Sequence, residues 1–163
     1  MNNIKNGGVV IIDFGSQYTK LIARRIRENL VFSEILSPDS KLNVIMKNSP
    51  AAIILSGGPK SVNDSSSHSF NKAIFQVGIP ILGICYGLQL LVKEYGGKID
   101  SGSNGEYGFA TIDIKDANAL FSGLTNSSKV WMSHGDKALN VPKGWDLLAV
   151  SSNGIIAAIA NKE

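Results

Sequence analysis

The sequence predicts an α/β fold: a doubly wound, mostly parallel sheet with helices on both faces. Three observations predict it. Short, continuous apolar runs alternate with helix-period segments through the first hundred residues. Those runs are short, as expected of strands buried on both faces. Each of three runs ends in a glycine-containing turn, Asp13-Phe14-Gly15, Ser56-Gly57-Gly58 and Gly83-Ile84-Cys85, and in such sheets the reactive groups collect at the carboxyl ends of the strands.

The elements follow in order. Val9 to Asp13 reads as the first strand, and Tyr18, Leu21, Ile22, Ile26 and Leu30 then recur at helical spacing. Val31 to Leu36 is a second strand, ended by Ser37-Pro38, and Leu42 to Lys47 a short helix. Ala51 to Leu55 is a third buried strand, and Lys60 to Ser69 a polar loop. Phe70, Ala73, Ile74 and Val77 predict a helix with Ser69 as N-cap and Gly78 as C-cap. Ile79 to Ile84 is the fourth strand; Leu88, Leu91, Val92 and Tyr95 give a helix ended by Gly96-Gly97. After Lys98 the pattern changes to strand candidates without long crossover helices: Phe109 to Ile114, Trp145 to Ser151 and Ile155 to Ala160.

With 163 residues the chain is expected to form one domain with a sizeable core. A net charge of +3 is too mild to imply a nucleic-acid surface. The one basic cluster, Lys20, Arg24, Arg25 and Arg27, reads as a solvated helix face. No apolar run approaches the roughly 20 residues of a membrane span, the polar start at Met1 to Gly8 has no signal-peptide character, and one cysteine makes no internal disulfide. These features predict a cytoplasmic protein that engages neither nucleic acid nor membrane.

The single cysteine, Cys85, lies in Gly83-Ile-Cys-Tyr-Gly87, where a strand gives way to a helix. Gly-x-nucleophile-x-Gly at that position is a nucleophile-elbow pattern: the sharp turn exposes the side chain, and the helix N-terminus favours a thiolate. A lone cysteine is equally at home as a small buried hydrophobe; the flanking glycines favour catalysis. A nucleophile also needs oxyanion donors, and the N–H groups of Tyr86 and Gly58 are the candidates. It needs a base, and the chain has only two histidines, His68 and His134. His68 sits in the serine-rich loop and reads as exposed. His134, in Trp131-Met-Ser-His-Gly-Asp136, is open to two readings, a base or part of a loop whose backbone contacts a ligand.

These segments together, with Asp13-Phe-Gly-Ser-Gln-Tyr-Thr19, Ile54-Leu-Ser-Gly-Gly-Pro59, Gly105-Glu-Tyr-Gly108 and Val130-Trp-Met-Ser-His-Gly-Asp136, resemble the class I glutamine amidotransferases, and within them the amidotransferase domain of the GMP synthase family. The resemblance runs from about Val9 to about Ala160. It implies a flavodoxin-like α/β fold in which Cys85 attacks the side-chain amide of glutamine. A glutamyl thioester forms, ammonia leaves, and water releases glutamate. It implies oxyanion donors at Gly58 and Tyr86, and substrate binding by Gly57, Gln89 and the Ser133, His134, Gly135 and Asp136 segment. His134 then belongs to the substrate loop.

The ammonia would pass to an ATP-dependent synthetase domain, in cis or in trans, that aminates XMP to GMP. ATP and magnesium are expected only there, with no cofactor and no metal in residues 1–163. The family's base and its orienting carboxylate lie in a His-Pro-Glu segment, expected just after a strand like Ile155 to Ala160. These residues do not contain it, so the domain is expected to be incomplete at its C-terminal end and the 163 residues alone to be inactive. A glutamine- or partner-binding remnant without turnover is the alternative. A third reading is an unrelated cysteine hydrolase using His134. Gly105, where the family often has arginine, and Leu88, where methionine is common, are minor departures.

Overall fold

A computed structural model describes residues 7–64, 69–101, 105–116 and 120–161. The chain divides into two compact units, Met1–Leu90 and Leu91–Glu163, each described by itself.

The first unit carries a parallel sheet in the order β2-β1-β3-β4. Its strands are β1 (Val9–Ile12), β2 (Ser33–Leu36), β3 (Ala52–Leu55) and β4 (Ile81–Gly83). Helix α1 (Thr19–Glu28) connects β1 to β2, and the short α2 (Leu42–Ile45) precedes β3. Successive strand residues point to opposite faces, and the two faces find different partners. Ile11 and Ile54 cluster with Ala23 of α1. Leu55, one residue on, points the other way, against Gly87 in the first turn of α3 (Tyr86–Glu94). Helices therefore cover both faces, as the apolar runs predict. Arg24 and Arg25 pair with Glu28 along the exposed side of α1, which makes the basic cluster a solvated face.

The helix expected from Phe70 to Val77 is instead a five-residue 3-10 helix, Lys72–Gln76. Its cap is Asn71, not Ser69: the Asn71 side chain accepts the Ala73 N–H at 3.1 Å. Gly78, at φ +70°, closes it. The histidine and serines of the preceding loop, 65–68, lie outside the described residues, as does Glu163.

The second unit is antiparallel. Strands β6 (Glu106–Ile114), β7 (Ser127–His134), β9 (Asp146–Ser151) and β10 (Ile156–Ala160) lie in the order β10-β9-β6-β7, and the two-residue strands β5 (Ile99–Asp100) and β8 (Lys137–Ala138) pair separately. Ile112, Ile114, Phe121, Leu148, Ala149 and Ala158 form its core, with Val130 and Met132 of β7 packed against them. No helix among the described residues is long and apolar enough to cross a membrane.

Candidate functional site

The strand order 2-1-3-4 reverses direction between β1 and β3. A doubly wound sheet opens a crevice at such a switch point, beyond the carboxyl ends of the strands. Two of the glycine-containing turns leave β1 and β3 at that point, and the cysteine turn leaves the neighbouring β4.

The turn after β1 is fixed by its own carboxylate. Asp13 Oδ1 accepts the Gly15 N–H at 2.9 Å and the Thr19 hydroxyl at 2.7 Å, tying the strand end to the first turn of α1. Ser56, fully buried, ties the turn after β3 to the turn after β1: its Oγ accepts the Phe14 N–H at 3.0 Å. Its carbonyl accepts the Gly87 N–H at 3.1 Å, which joins the same turn to α3. The rings of Phe14 and the fully buried Tyr86 pack 5.0 Å apart beneath these turns.

Cys85 sits between the end of β4 and the first residue of α3, at φ +52°. A non-glycine residue in the left-handed region carries backbone strain, and strain of this kind concentrates at functional sites. The flanking glycines are required by space. A Cβ on Gly83 would come within 2.5 Å of the Gly87 carbonyl oxygen, and one on Gly87 within 2.2 Å of the Leu55 carbonyl oxygen. Strand and helix therefore approach as closely as backbone allows, and the turn between them carries Cys85 at partial exposure. Gly57 faces the sulfur-bearing residue directly: a Cβ on it would stand 3.5 Å from Cys85 Cβ and 3.5 Å from Ser16 Oγ. Gly58 packs on the Phe14 carbonyl, and among the described residues its N–H makes no hydrogen bond. Tyr86 is the first residue of α3 and stands at the helix N-terminus. Gln89, buried, donates its backbone N–H to the Cys85 carbonyl at 3.0 Å. The sequence-derived residues Gly57, Gly58, Cys85, Tyr86 and Gln89 thus gather at one sheet edge.

Ser133, His134, Gly135 and Asp136 belong to the second unit. Contrary to the loop reading, Trp131 to His134 is the end of a regular strand, and only Gly135 and Asp136 turn away from it. Its alternation is a physical one: Val130 and Met132 face the core while Lys129, Trp131 and Ser133 are exposed. His134 Nδ1 is 2.9 Å from the Asp136 carbonyl, and Nε2 is 3.4 Å from Glu106 Oε2. Glu106, directly opposite in register, is buried, and its other oxygen accepts from Ser151 Oγ at 2.7 Å and Asn153 Nδ2 at 2.8 Å. Sequence reasoning assigned Glu106 no role. The signal was there: a carboxylate at an inward position of an alternating strand, where charge is costly unless paired. Among the described residues no group of histidines, cysteines and carboxylates could hold a metal ion.

Comparison with known proteins gives the family of the chain. The family described as glutamine amidotransferase class-I matches residues 10–163. The chain is 46% identical over 162 residues to the GMP synthase (glutamine-hydrolyzing) of Synechocystis sp., covering 99% of this chain and 30% of that protein. It is 49% identical over 156 residues to the protein of the same name from Lactobacillus gasseri, covering 95% and 30%. The chain thus spans about 30% of the length of the curated relatives it matches. Among solved structures, a candidate GMP synthase subunit from Thermoplasma acidophilum superposes with a TM-score of 0.85 at 26% identity, covering 96% of this chain and 79% of that one. A glutamine amidotransferase of Thermotoga maritima gives 0.77 at 23% identity over 96% and 72%, a likeness of fold alone.

Proposed function

The chain belongs to the class-I glutamine amidotransferase family, and from that premise we propose that it is the glutaminase domain of a GMP synthase, supplying ammonia for the amination of XMP to GMP. The observation that carries this reading is Cys85 at φ +52° between a parallel strand and a helix N-terminus.

Each step assigns work to a residue already placed. The Cys85 sulfur attacks the side-chain carbonyl carbon of glutamine. The tetrahedral oxyanion is received by the N–H groups of Gly58 and Tyr86, worth about 3 kcal/mol per donor in comparable enzymes. The carbon–nitrogen bond breaks, the nitrogen leaves as ammonia with the proton that the Cys85 thiol gave up, and a glutamyl thioester remains. Water adds to the thioester carbon and the sulfur departs, releasing glutamate. Gly57 leaves room beside the sulfur for the substrate. Gln89 and the Ser133, His134, Gly135 and Asp136 segment bind glutamine's polar groups. The glutaminase step asks for no metal or organic cofactor, while ATP and magnesium belong to the amination, carried out by a synthetase partner in cis or trans. These are the reactions of a cytoplasmic biosynthetic enzyme.

A second reading, glutamine binding without turnover, is favoured by one observation. Both ring nitrogens of His134 are turned to oxygen acceptors, the Asp136 carbonyl and Glu106, so its lone pair is not offered to a nucleophile. One experiment tests both readings. A glutamine-like chloroketone should form a single adduct at Cys85, protected by L-glutamine and absent in Cys85→Ala, with glutamate formation followed in parallel. Adduct without turnover supports the binding reading for this chain. Failure of the chloroketone to modify Cys85 while a small alkylating agent does would refute a glutamine pocket.

A further inference from the structure

Ser56 is the one residue of the Ser56-Gly57-Gly58 turn with a side chain, and every polar atom it has is paired. Its N–H donates to the Ile12 carbonyl at 3.0 Å, and its carbonyl accepts the Gly87 N–H at 3.1 Å. Its Oγ accepts the Phe14 N–H at 3.0 Å, which leaves the hydroxyl proton for an acceptor. Two acceptors stand near: the Gly57 carbonyl oxygen at 2.9 Å and Asp13 Oδ1 at 3.5 Å. Hydrogen bonds from a hydroxyl to oxygen run at about 2.5–3.0 Å, and Asp13 Oδ1 already accepts from Gly15 and Thr19. The proton therefore goes to the Gly57 carbonyl. Ser56 is fully buried, so water does not compete for it.

This bond fixes a peptide plane. The Gly57–Gly58 peptide is trans, and in a trans peptide the carbonyl and the following N–H point in opposite directions. Holding the Gly57 carbonyl on the buried hydroxyl turns the Gly58 N–H the other way. A glycine stands on each side of the plane, with no Cβ to oppose its turning over. Packing holds Gly58 close, since a Cβ on it would lie 2.5 Å from the Phe14 carbonyl oxygen. Close packing of a Cα does not decide which way the preceding peptide faces; the hydroxyl does.

We propose that Ser56 is a positioning residue: acting through the Gly57–Gly58 peptide, its hydroxyl keeps the Gly58 N–H presented to the oxygen that gains charge when Cys85 attacks. This role rests on the glutaminase reading, in which Gly58 is an oxyanion donor. A donor aimed in advance needs no reorientation in the transition state. A glycine pair without the pin would, each time the peptide turned over, offer that oxygen the Gly57 carbonyl, an acceptor, in place of a donor. The pin acts on the oxygen that becomes charged, so it stabilises the tetrahedral state more than bound glutamine.

The test uses the full chain and two ligands that meet Cys85 differently. L-glutamine is read by its protection of Cys85 from iodoacetamide. The γ-semialdehyde of glutamate adds to the thiol: sulfur bonds to the carbonyl carbon, the thiol proton moves to the oxygen, and that oxygen stands where the oxyanion forms. Ser56→Ala should weaken the aldehyde at least tenfold, against the roughly 10²- to 10³-fold cost of losing an oxyanion donor outright. The L-glutamine concentration that protects Cys85 should change by less than about threefold. Equal weakening of both ligands, the mark of a turn merely loosened, overturns the proposal, and so does an unchanged affinity for the aldehyde. If Ser56→Ala does not fold, a crystal structure of the unaltered chain with the aldehyde bound decides. The Gly57 carbonyl is expected on Ser56 Oγ and the Gly58 N–H on the adduct oxygen; a peptide turned over refutes the pin. If neither ligand reaches Cys85 in the unaltered chain, the glutaminase reading fails, and the crystal structure without ligand still shows whether Ser56 holds the peptide.

Discussion

Gly87 presses its Cα against the backbone of Leu55, so that a β-carbon added to it would lie 2.2 Å from the Leu55 carbonyl oxygen and 2.7 Å from the Leu55 Cβ. Neither neighbour is a flexible side-chain end. This contact brings α3 against β3 and puts Cys85 at the rim of the sheet. Gly87→Ala should therefore move the helix or open the strand, at a cost of about 2 kcal/mol or more. Urea denaturation measures it. The same variant should lose most chloroketone labelling of Cys85. A change under about 0.5 kcal/mol, the usual range of inconsequential surface substitutions, would show that the helix is not held by this approach.

The strained φ of Cys85 gives a prediction opposite in sign. A left-handed conformation costs an L-residue about 1–2 kcal/mol that glycine is spared. Cys85→Ala keeps the strain, whereas Cys85→Gly relieves it and loses part of the gain to unfolded-chain freedom. Cys85→Gly should thus be more stable than Cys85→Ala by about 1 kcal/mol. Equal denaturation midpoints for the two variants would mean that the turn is not strained in solution.

The parallel sheet was legible because strands buried on both faces leave continuous apolar runs, as at Val9 to Ile12 and Ala52 to Leu55. Cys85 was legible because the glycines that permit its turn adjoin it in sequence. What escaped was set by partners distant in the chain. Ser127 to His134 pairs with β6 through its whole length, yet its exposed face carries Lys129 and Trp131, and its inner face includes the polar Ser128 and His134. Glu106 is held by Ser151 and Asn153, more than forty residues away. The cap at Asn71 displaced Ser69 because its side chain reaches the Ala73 N–H, a choice between two polar residues that local spacing does not make.

On α1, Arg25 and then Arg24 hold the Glu28 carboxyl below its ordinary range through hydrogen bonds. The sign follows from linkage. A carboxyl held lower in the folded state contributes stability above its unfolded value, and that contribution is lost as pH falls through the folded value. Arg25→Ala should raise the Glu28 titration midpoint more than Arg24→Ala, followed by carboxyl carbon NMR. Stability at neutral pH should scarcely change, since exposed pairs contribute little. A larger response to Arg24→Ala would reverse the order of the two partners.

Gly105 offers a way to disturb the second unit's candidate binding segment without touching Cys85. Its hypothetical Cβ meets the His134 carbonyl oxygen at 2.4 Å, the Gly135 Cα at 2.8 Å and a ring carbon of Tyr107 at 2.9 Å. The Tyr107 ring, largely exposed, can swing away; the two backbone atoms can yield only if the turn after β7 moves. Gly105→Ala should therefore displace Gly135 and Asp136 relative to β6, at about 1–3 kcal/mol as overpacking generally costs. Labelling of Cys85 by a small alkylating agent such as iodoacetamide should be unchanged, because the elbow lies on other elements. Protection of Cys85 by L-glutamine should instead require roughly tenfold more ligand, the equivalent of about 1.4 kcal/mol. The two labelling curves, measured on the same protein, separate the outcomes. Unaltered protection by glutamine would show that the Ser133 to Asp136 backbone is not part of the glutamine site, and that the substrate is held by Gln89 and the residues around Cys85 alone.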